Sequence, residues 1–518
     1  MQRFPAVALP CLAAVLLLSA CGGSGDSATL SPTSPTPQRG ALLTTPPAKL
    51  ASYSTIDLLA MLTDNDIAKL VLQFAFTPTC AVDIYQLQYE TVGAVAEATT
   101  ASGALMVPSG SGGTCAGTHP ILLYAHGTTP NKSFNIAALS DSANDEGVLL
   151  ATLFASQGYI VVAPNYAGYN TSTLTYHPYL DADQQSKDMI DALTAARTAL
   201  PTLSGATVAD SGKLFVTGYS QGGYVAMATH RALQAAGMAV TASAPMSGPY
   251  ALAAFGDAIF YGDVSLSAPE NLTLLTSSYQ HAYGNIYVDA TDVFEPEYAS
   301  GIESLLPSTT PISDLYAAGK LPQSELFSST APAPEYAQFT PSKTPAQLAP
   351  VFAMGFGPEN LIANGYRLAY LQDAQAAPDG GFPTTTTDLP AASPHNTLRE
   401  ALKTNDLRDW MPSTPVFLCA GDEDPTVFYI NTQLILGYWA THVPAGAVSM
   451  LDVDSAATSA DPYKNLKIAF AAAKALVASA AVSAGATDGG ASAVLADYHA
   501  GLVAPFCVGA VKSFFDGF

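Results

Sequence analysis

The chain has few charged residues, and basic residues are the scarcest of them. Charged residues make up 12% of the 518 positions, about half of the roughly 25% that is usual in soluble domains. The 42 acidic residues outnumber the 19 basic ones, which gives a net charge of −23. Such a surface repels phosphate backbones, so we expect no nucleic-acid partner. It also favours neutral substrates over polyanionic ones.

Long apolar runs are scarce as well, and the N-terminal one is too short to span a membrane. Residues 4–18 are apolar, follow a single arginine and lead into Leu18-Ser19-Ala20-Cys21-Gly22. This segment resembles a bacterial lipoprotein signal, which is cut before the cysteine that then carries lipid; a plain secretory signal is the alternative. We therefore expect a signal peptide over residues 1–20, lipid on Cys21 and a flexible tether over residues 21–49. The lipid would hold the protein to a membrane of the bacterial cell envelope; otherwise the protein is secreted.

One Gly-x-Ser-x-Gly motif occurs in the chain, Gly218-Tyr219-Ser220-Gln221-Gly222. It follows a β-branched apolar run over residues 213–217 and precedes a stretch of helical composition over residues 223–229. A serine on a tight turn between strand and helix projects its hydroxyl clear of the sheet, and the flanking glycines avoid collisions with neighbouring backbone. A chance match is the alternative in a chain with 40 glycines. The strand and helix on either side favour a nucleophile elbow with Ser220 as the nucleophile.

A serine hydroxyl becomes a good nucleophile when a histidine takes its proton and a carboxylate orients that histidine. In hydrolases with such an elbow, the acid and then the histidine follow the serine along the chain. The apolar run 415–421 ends in Asp422-Glu423-Asp424-Pro425. A solvated turn is the plain interpretation of three adjacent carboxylates. Asp424 is our candidate acid because it lies just before the next predicted helix, and Asp422 is the alternative.

Two of the eight histidines follow the acid, His442 and His499. The base is expected after the last strand, which we place at residues 447–453. His499 is therefore our candidate base, and His442, at the end of a helix predicted over residues 429–441, is the alternative. The other histidines precede the acid: His119, His126, His177, His230, His281 and His395.

The negative charge of a tetrahedral intermediate needs preorganised donors, usually backbone N–H groups. One should come from Gln221, the residue after the nucleophile, and one from the loop after an earlier strand. Residues 120–125 form that strand and lead into His126-Gly127-Thr128. Gly127 allows the chain to turn, so we expect the Thr128 N–H to be the second donor; a turn without function is the alternative.

Taken together, these motifs resemble the α/β-hydrolases of the secreted lipase and esterase kind, including fungal secretory lipases and their bacterial lipoprotein relatives. The segments that carry the resemblance are Tyr-Ala-His-Gly-Thr at 124–128, Val-Val-Ala-Pro-Asn-Tyr-Ala-Gly-Tyr at 161–169, Gly-Tyr-Ser-Gln-Gly-Gly at 218–223, Gly-Asp-Glu-Asp at 421–424 and Tyr-His-Ala-Gly at 498–501. The resemblance implies a mostly parallel central sheet flanked by helices and an acyl-enzyme mechanism that uses no cofactor.

The order of predicted strands agrees with an α/β-hydrolase fold carrying a large inserted cap. Residues 84–91 and 97–107 alternate as an antiparallel pair, whereas 121–125 and 159–163 are continuous apolar runs typical of buried parallel strands. Three ranges follow from this pattern: a first core part over residues 50–247, a cap over 248–410 and a second core part over 411–518. The cap is rich in Tyr, Phe, Pro and Ser, so we expect it to build an acyl pocket.

Four cysteines remain once Cys11 leaves with the signal and Cys21 is lipidated. An even number in an oxidising compartment predicts two disulfides from three possible connectivities. We expect Cys80–Cys115, whose members flank one antiparallel region, and Cys419–Cys507, which would join the acid and base loops. Free buried thiols are the alternative.

The sequence thus predicts a monomeric serine hydrolase that cleaves carboxylic esters, whether of small molecules, lipids or polyesters. A serine peptidase or an acyltransferase would use the same triad, although no β-propeller-like segment points to an oligopeptidase. A lipoprotein that only binds ligands on an inactive hydrolase scaffold is a further alternative. Asp422, Glu423 and Asp424 lack the spaced ligand series of a calcium site, and we expect no metal.

Overall fold

The structure is a computed structural model that describes residues 38–63, 77–141, 144–205, 207–380, 389–444 and 446–518. The predicted signal peptide, Cys21 and most of the predicted tether lie outside the described residues. Within these residues, a nine-stranded sheet has the order β1-β2-β3-β5-β4-β6-β7-β10-β11, and β8 pairs with β9. The strands are β1 (Ala48–Tyr53), β2 (Ala81–Val92), β3 (Ala98–Ser109), β4 (Gly117–Ala125), β5 (Ile160–Pro164), β6 (Val208–Tyr219), β7 (Ala242–Met246), β8 (Phe327–Ser328), β9 (Phe356–Gly357), β10 (Val416–Ala420) and β11 (Val448–Asp452).

The sheet changes from antiparallel to parallel at β5. Strands β1, β2 and β3 pair antiparallel, and β3 pairs antiparallel with β5. From β5 to β11 all pairs are parallel. Along β4, Leu122 packs into the apolar cluster on one face of the sheet and Leu123 into the cluster on the other. Alternating side chains therefore reach two buried faces, which explains why the parallel strands have continuous apolar sequences.

Residues before the predicted boundary at residue 50 already pack against the sheet. Gly40 and Leu43 donate backbone hydrogen bonds to β2, and Arg39 forms an ion pair with Asp191 at 3.0 Å. Strand β1 then starts at Ala48 and forms one edge of the sheet. No strand is predicted from the sequence here because most β1 side chains are exposed and do not alternate in polarity, as is usual for an edge strand.

Helices cover both faces of the sheet, and the helix predicted at 429–441 is present within one residue of its bounds. They are α1 (Thr55–Thr63), α2 (Asp145–Leu153), α3 (Ala182–Ala199), α4 (Gln221–Ala235), α5 (Leu252–Phe260), α6 (Ala268–Tyr283), α7 (Pro296–Ala299), α8 (Ile312–Ala317), α9 (Ala349–Met354), α10 (Asn364–Ala376), α11 (Thr397–Thr404), α12 (Ile430–His442), α13 (Lys464–Ser483), α14 (Ala491–Asp497), a π-helix (Tyr498–Val503) and α15 (Ala504–Phe515). Short 3₁₀ helices lie at Ala155–Gln157, Leu200–Thr202, Ala290–Asp292, Ile302–Ser304 and Pro334–Phe339.

Two helical stretches are long and apolar enough to cross a membrane by length and composition alone. The stretch Ala491–Phe515 is mostly buried, and its Cys507 and Val511 lie in the core of the domain. Helix α13 is mostly exposed and owes its apolar composition largely to alanine. Core helices satisfy the same criterion, so these two stretches are weak evidence for a membrane span.

The segment predicted to be a cap, residues 248–410, contains α5 to α11 and the β8–β9 pair. Buried ion pairs connect its distant parts: Arg399 binds Asp257 at 2.8 Å and Asp373 at 2.7 Å. Such pairs specify one arrangement more than they add stability, because burying the charges is itself costly. The cap also contacts the loop after β4, where Ser308 exchanges backbone hydrogen bonds with Pro130 and Lys132.

Candidate active site

The turn between β6 and α4 holds Ser220 in a strained conformation. Its φ is +59° and its ψ is −124°, a region that residues with a Cβ rarely adopt. A Cβ at Gly218 would lie 2.3 Å from the carbonyl oxygen of Gly222, and one at Gly222 would lie 1.9 Å from that of Ala125. Both positions therefore require glycine, and together they let the turn project the serine side chain over the end of the sheet.

Three side chains from distant parts of the sequence form one hydrogen-bonded series. The Ser220 hydroxyl donates to His499 Nε2 at 2.8 Å, and His499 Nδ1 donates to Asp424 Oδ2 at 2.6 Å. The other carboxylate oxygen of Asp424 accepts the N–H groups of Thr426 and Val427 at 2.9 and 3.0 Å. The Asp424 side chain is 1% exposed and that of His499 is 11% exposed. The acid is thus fixed by backbone donors, while the histidine still reaches the cavity.

The histidine and the acid loop are tied together by neighbouring side chains. The Tyr219 hydroxyl donates to the carbonyl oxygen of His499 and lies 3.4 Å from its Nδ1. The Tyr498 hydroxyl accepts the N–H of Glu423 at 3.2 Å. His499 lies in the π-helix, a form often found at functional sites. These contacts hold the backbone of His499 and join the residue before it to the acid loop.

Both expected disulfides are present in the structure. Cys419 at the end of β10 is bonded to Cys507 in α15, with Cα atoms 5.6 Å apart. Cys80 is bonded to Cys115, with Cα atoms 5.5 Å apart. The first bridge joins the strand that precedes the acid loop to the helix that follows the histidine.

The backbone donors expected around Ser220 are placed at the same edge. Gln221 is the first residue of α4, so its N–H has no acceptor within the helix. Its side-chain amide donates to Nε2 of the buried His177 at 2.8 Å, while His177 Nδ1 donates to the Ala167 carbonyl. Burial lowers the pKa of His177 to about 3, so the imidazole is neutral, as one donor and one acceptor nitrogen require. Thr128 lines the same cavity as Gln221, and its hydroxyl bonds to that of Tyr179.

A cavity of about 350 Å³ opens onto Ser220 and His499. Helices α5 and α6 of the cap supply most of its apolar wall, including Leu252, Phe255, Ile259, Leu272 and Leu275. A polar section of the wall contains Glu270, whose pKa burial raises to about 7 while a hydrogen bond from Tyr316 opposes the shift. Ser220 thus faces a largely apolar cavity, and one section of the cavity wall is polar.

Comparisons with known proteins support the fold described above. The prolyl oligopeptidase family model matches residues 149–264, which include the elbow. The crystal structure of the rice cell wall degrading esterase LipA from Xanthomonas oryzae is 28% identical, with 84% of this chain and 95% of that chain covered and a TM-score of 0.61. A putative hydrolase from Legionella pneumophila is 20% identical over 78% of this chain and 90% of that chain, with a TM-score of 0.59, and shows the fold alone. No curated protein sequence matches the chain.

The chain is an α/β-hydrolase. The predicted fold class is therefore confirmed, and the hydrolase activity class with it. Within the described residues, no group of three or more His, Cys, Asp or Glu side chains of this hydrolase is arranged to hold a metal ion.

The structure places the alternative acid and base of the hydrolase away from Ser220. His442 ends α12 on the surface, where its Nδ1 lies 2.6 Å from the carbonyl oxygen of Tyr438. Asp422 lies among other acids, and burial together with Asp454 and Glu423 raises its pKa. Neither side chain takes part in the series that contains the serine.

One side chain at the hydrolase site was not anticipated from the sequence. Glu146, in the first turn of α2, lines the cavity beside Ser220 and accepts the N–H of Gly127. Its sequence context, Asn144-Asp145-Glu146 before an apolar run, has the form of an ordinary helix start. Glu146 could have been distinguished from other acids at helix starts only by expecting α2 to begin at the same edge of the sheet as Ser220.

Replacing Asp424 by asparagine is expected to lower kcat by about four orders of magnitude, since the amide neither stabilises the imidazolium nor favours the required tautomer of His499. The measurement is steady-state hydrolysis of a p-nitrophenyl ester. Asp422→Asn is the matched control two residues away and should change kcat by less than about threefold. If Asp422→Asn carries the large loss and Asp424→Asn does not, the acid is assigned wrongly.

Proposed function

We propose that the protein is a serine hydrolase that cleaves carboxylic esters through Ser220, His499 and Asp424. The observation that carries the proposal is the hydrogen-bonded series from Ser220 Oγ to Asp424, opening onto a largely apolar cavity. Covalent labelling of Ser220 by a fluorophosphonate tests it.

The geometry supports a two-step mechanism. His499 Nε2 takes the proton of the Ser220 hydroxyl as its oxygen attacks the ester carbonyl, and the N–H groups of Gln221 and Thr128 stabilise the oxyanion. His499 then protonates the leaving alcohol, which leaves an acyl group on Ser220. A water molecule, deprotonated by His499, attacks this acyl-enzyme. The imidazolium then returns the proton to Ser220 Oγ as the acyl–oxygen bond breaks and the carboxylic acid leaves. Asp424 keeps its negative charge throughout and stabilises the imidazolium.

Two observations favour an ester over a peptide as substrate. The cap covers the serine with an apolar wall, which suits the acyl chain of a neutral ester better than a polar peptide backbone. The relative that shares 28% identity over most of the chain is an esterase, whereas the match to the peptidase family stops at residue 264, before the acid and the base.

We propose an exported location as well, in the cell envelope through lipid on Cys21 or in the medium. The support is the signal-like N-terminus together with two disulfides, which persist in oxidising compartments. The mass of the N-terminal peptide of the mature protein distinguishes a lipidated Cys21 from a free terminus. Sedimentation of that protein would test the expected monomer.

A fluorophosphonate probe should label Ser220 in the folded protein and leave Ser220→Ala unlabelled. The same preparation is then given p-nitrophenyl esters from acetate to palmitate, an emulsified triglyceride, a polyester film and peptide p-nitroanilides. We expect esters to be hydrolysed far faster than the anilides. Absence of labelling would point to a binding protein, faster anilide cleavage to a peptidase, and transfer to added alcohol in preference to water to an acyltransferase.

A further inference from the structure

We propose that Glu146 is a positioning residue that holds the loop after β4 so that the Thr128 N–H faces the reacting carbonyl. The inference rests on the proposed function, because an oxyanion donor matters only if Ser220 is acylated. It concerns how this chain prepares that donor before substrate arrives.

The Glu146 carboxylate occupies the N–H of the loop glycine. The Gly127 N–H donates to both of its oxygens, at 3.2 and 3.1 Å. A Cβ built on Gly127 would lie 3.2 Å from Glu146 Oε1 and 3.8 Å from the Cβ of Ser220. Glu146 and the nucleophile therefore flank the same glycine. Because the Gly127 N–H is already bound, this loop has Thr128 as its next available donor.

The carbonyl of the same glycine is held by a second side chain. His126 Nδ1 lies 2.6 Å from the Gly127 carbonyl oxygen, and its ring stacks on Tyr166 at 4.2 Å. Burial lowers the pKa of His126 to about 4, so the ring is neutral and has one N–H. Each ring nitrogen of His126 lies near a backbone carbonyl oxygen, and the Nε2 contact with Asn165 is the longer, at 3.2 Å. We therefore assign the single N–H to Nδ1.

Holding the Gly127 carbonyl also orients the Thr128 N–H. The two groups belong to one planar peptide unit and point in opposite directions. Glu146 fixes the preceding peptide unit through the Gly127 N–H, and His126 fixes this one through the carbonyl. Both peptide planes that determine the position of the donor are thus held by side chains.

Glu146 is itself rigidly placed by the start of α2. The Asn144 side chain accepts the N–H of Gly147 at 3.1 Å and donates to the carbonyls of Ile136 and Ala138 at 3.0 and 3.1 Å. This buried cap fixes the first helical turn against the segment that follows the loop. The carboxyl group can therefore hold the Gly127 N–H in a defined position.

The surroundings of Glu146 make its ionised form less favourable than that of an exposed carboxyl. Burial raises its pKa to about 7, hydrogen bonds from Gly127 and Tyr124 oppose the shift, and Asp145 adds to it. The other titratable groups that it influences are the buried phenols of Tyr166 and Tyr219, which stay neutral. Within the described residues, no cation is among the groups that lower the pKa of this carboxyl, so its ionised form depends on the N–H and O–H donors around it.

Removing the carboxyl should affect the chemical step and leave binding unchanged. We expect Glu146→Ala to lower kcat about 10- to 100-fold at unchanged KM, less than the roughly 100- to 1,000-fold expected when an oxyanion donor is lost outright. Affinity for a boronic acid that forms a tetrahedral adduct should fall by a similar factor. Glu146→Gln keeps an oxygen to accept the Gly127 N–H and should restore kcat to within about fivefold of wild type. Asp145→Ala, exposed in the same turn, is the matched control and should resemble wild type.

The pH dependence of stability tests the environment of the Glu146 carboxyl separately from catalysis. Because the folded state raises the pKa of Glu146 from 4.5 to about 7, ionisation of this group destabilises the fold progressively between those pH values and fully above them. Glu146→Gln has no such ionisation. Its urea midpoint should therefore rise relative to wild type on going from pH 4.5 to pH 8.

The outcomes separate this inference from the proposed function. Wild type that fails to react with the fluorophosphonate would refute the proposed function and leave nothing for Glu146 to position. If wild type reacts, Glu146→Ala with kcat within twofold of wild type, per labelled site, would overturn the positioning role. A loss of kcat that Glu146→Gln does not restore would overturn it too.

Discussion

Ser220→Ala should reduce kcat on the order of 10⁶-fold while the protein remains folded, because loss of the nucleophile removes covalent catalysis entirely. The substitution removes one oxygen and its hydrogen bond to His499, and the backbone of the elbow is held by contacts that it does not touch. Substrate should still enter the cavity, since the apolar wall is unchanged. The measurement is kcat for a p-nitrophenyl ester, with circular dichroism to establish folding and binding of a non-hydrolysable ether to establish affinity.

The control is a buried serine that lies away from the site. The Ser243 hydroxyl in β7 lies 2.8 Å from His230 Nδ1, so Ser243→Ala also removes one serine hydroxyl and its hydrogen bond to a histidine. This variant should keep kcat within about twofold and lose only some stability. Retention of more than about a tenth of the wild-type rate by Ser220→Ala would show that another group is the nucleophile.

His499→Ala should match Ser220→Ala to within about an order of magnitude, because members of a triad act as a unit. Without the imidazole, the Ser220 hydroxyl keeps its proton and the leaving alcohol receives none. His442→Ala should be nearly silent, since that ring lies on the surface at the end of α12. The measurement is the rate of p-nitrophenyl release for both variants over pH 5 to 9.

The pattern across the two histidines decides the assignment. A large loss in His442→Ala with a small one in His499→Ala would transfer the role to His442. Equal, modest losses in both would mean that neither is the base. Fluorophosphonate labelling of each variant adds a second measure, because the base is needed for that reaction also.

The elements that the sequence predicted best are those whose chemistry leaves a local signature. The elbow requires glycine at 218 and 222 because backbone oxygens lie within 2.5 Å of where a Cβ would be, and this close approach produces a recognisable pentapeptide. The buried parallel strands β4 and β5 are continuous apolar runs for an equally local reason. Asp424 and His499 have weaker signatures and came from their order after the serine; the structure brings all three together, while their catalytic roles stay predictions.

The features that the sequence did not predict depend on contacts between distant residues. Glu146 resembles any acidic residue at a helix start, and only the packing of α2 beside the loop brings it to Gly127, 19 positions earlier. The cap arrangement depends on pairs such as Arg399 and Asp257, which are 142 positions apart. Strand β1 was missed because its exposed side chains leave no alternation. These features depend on which distant residues are in contact, and a single sequence does not show which residues form such pairs.

The disulfide between Cys419 and Cys507 affects how the chain between these two cysteines can vary in length. It closes a loop of 88 residues that contains the acid, α12, α13, α14 and the base. Restricting the unfolded chain in this way is worth roughly 4–5 kcal/mol by loop-closure entropy. That entropy varies only with the logarithm of loop length, so halving or doubling the loop would change it by about 0.6 kcal/mol. The connection between α13 and α14 can therefore be shortened or extended at little cost in loop-closure entropy, while the disulfide still joins the two ends of the loop.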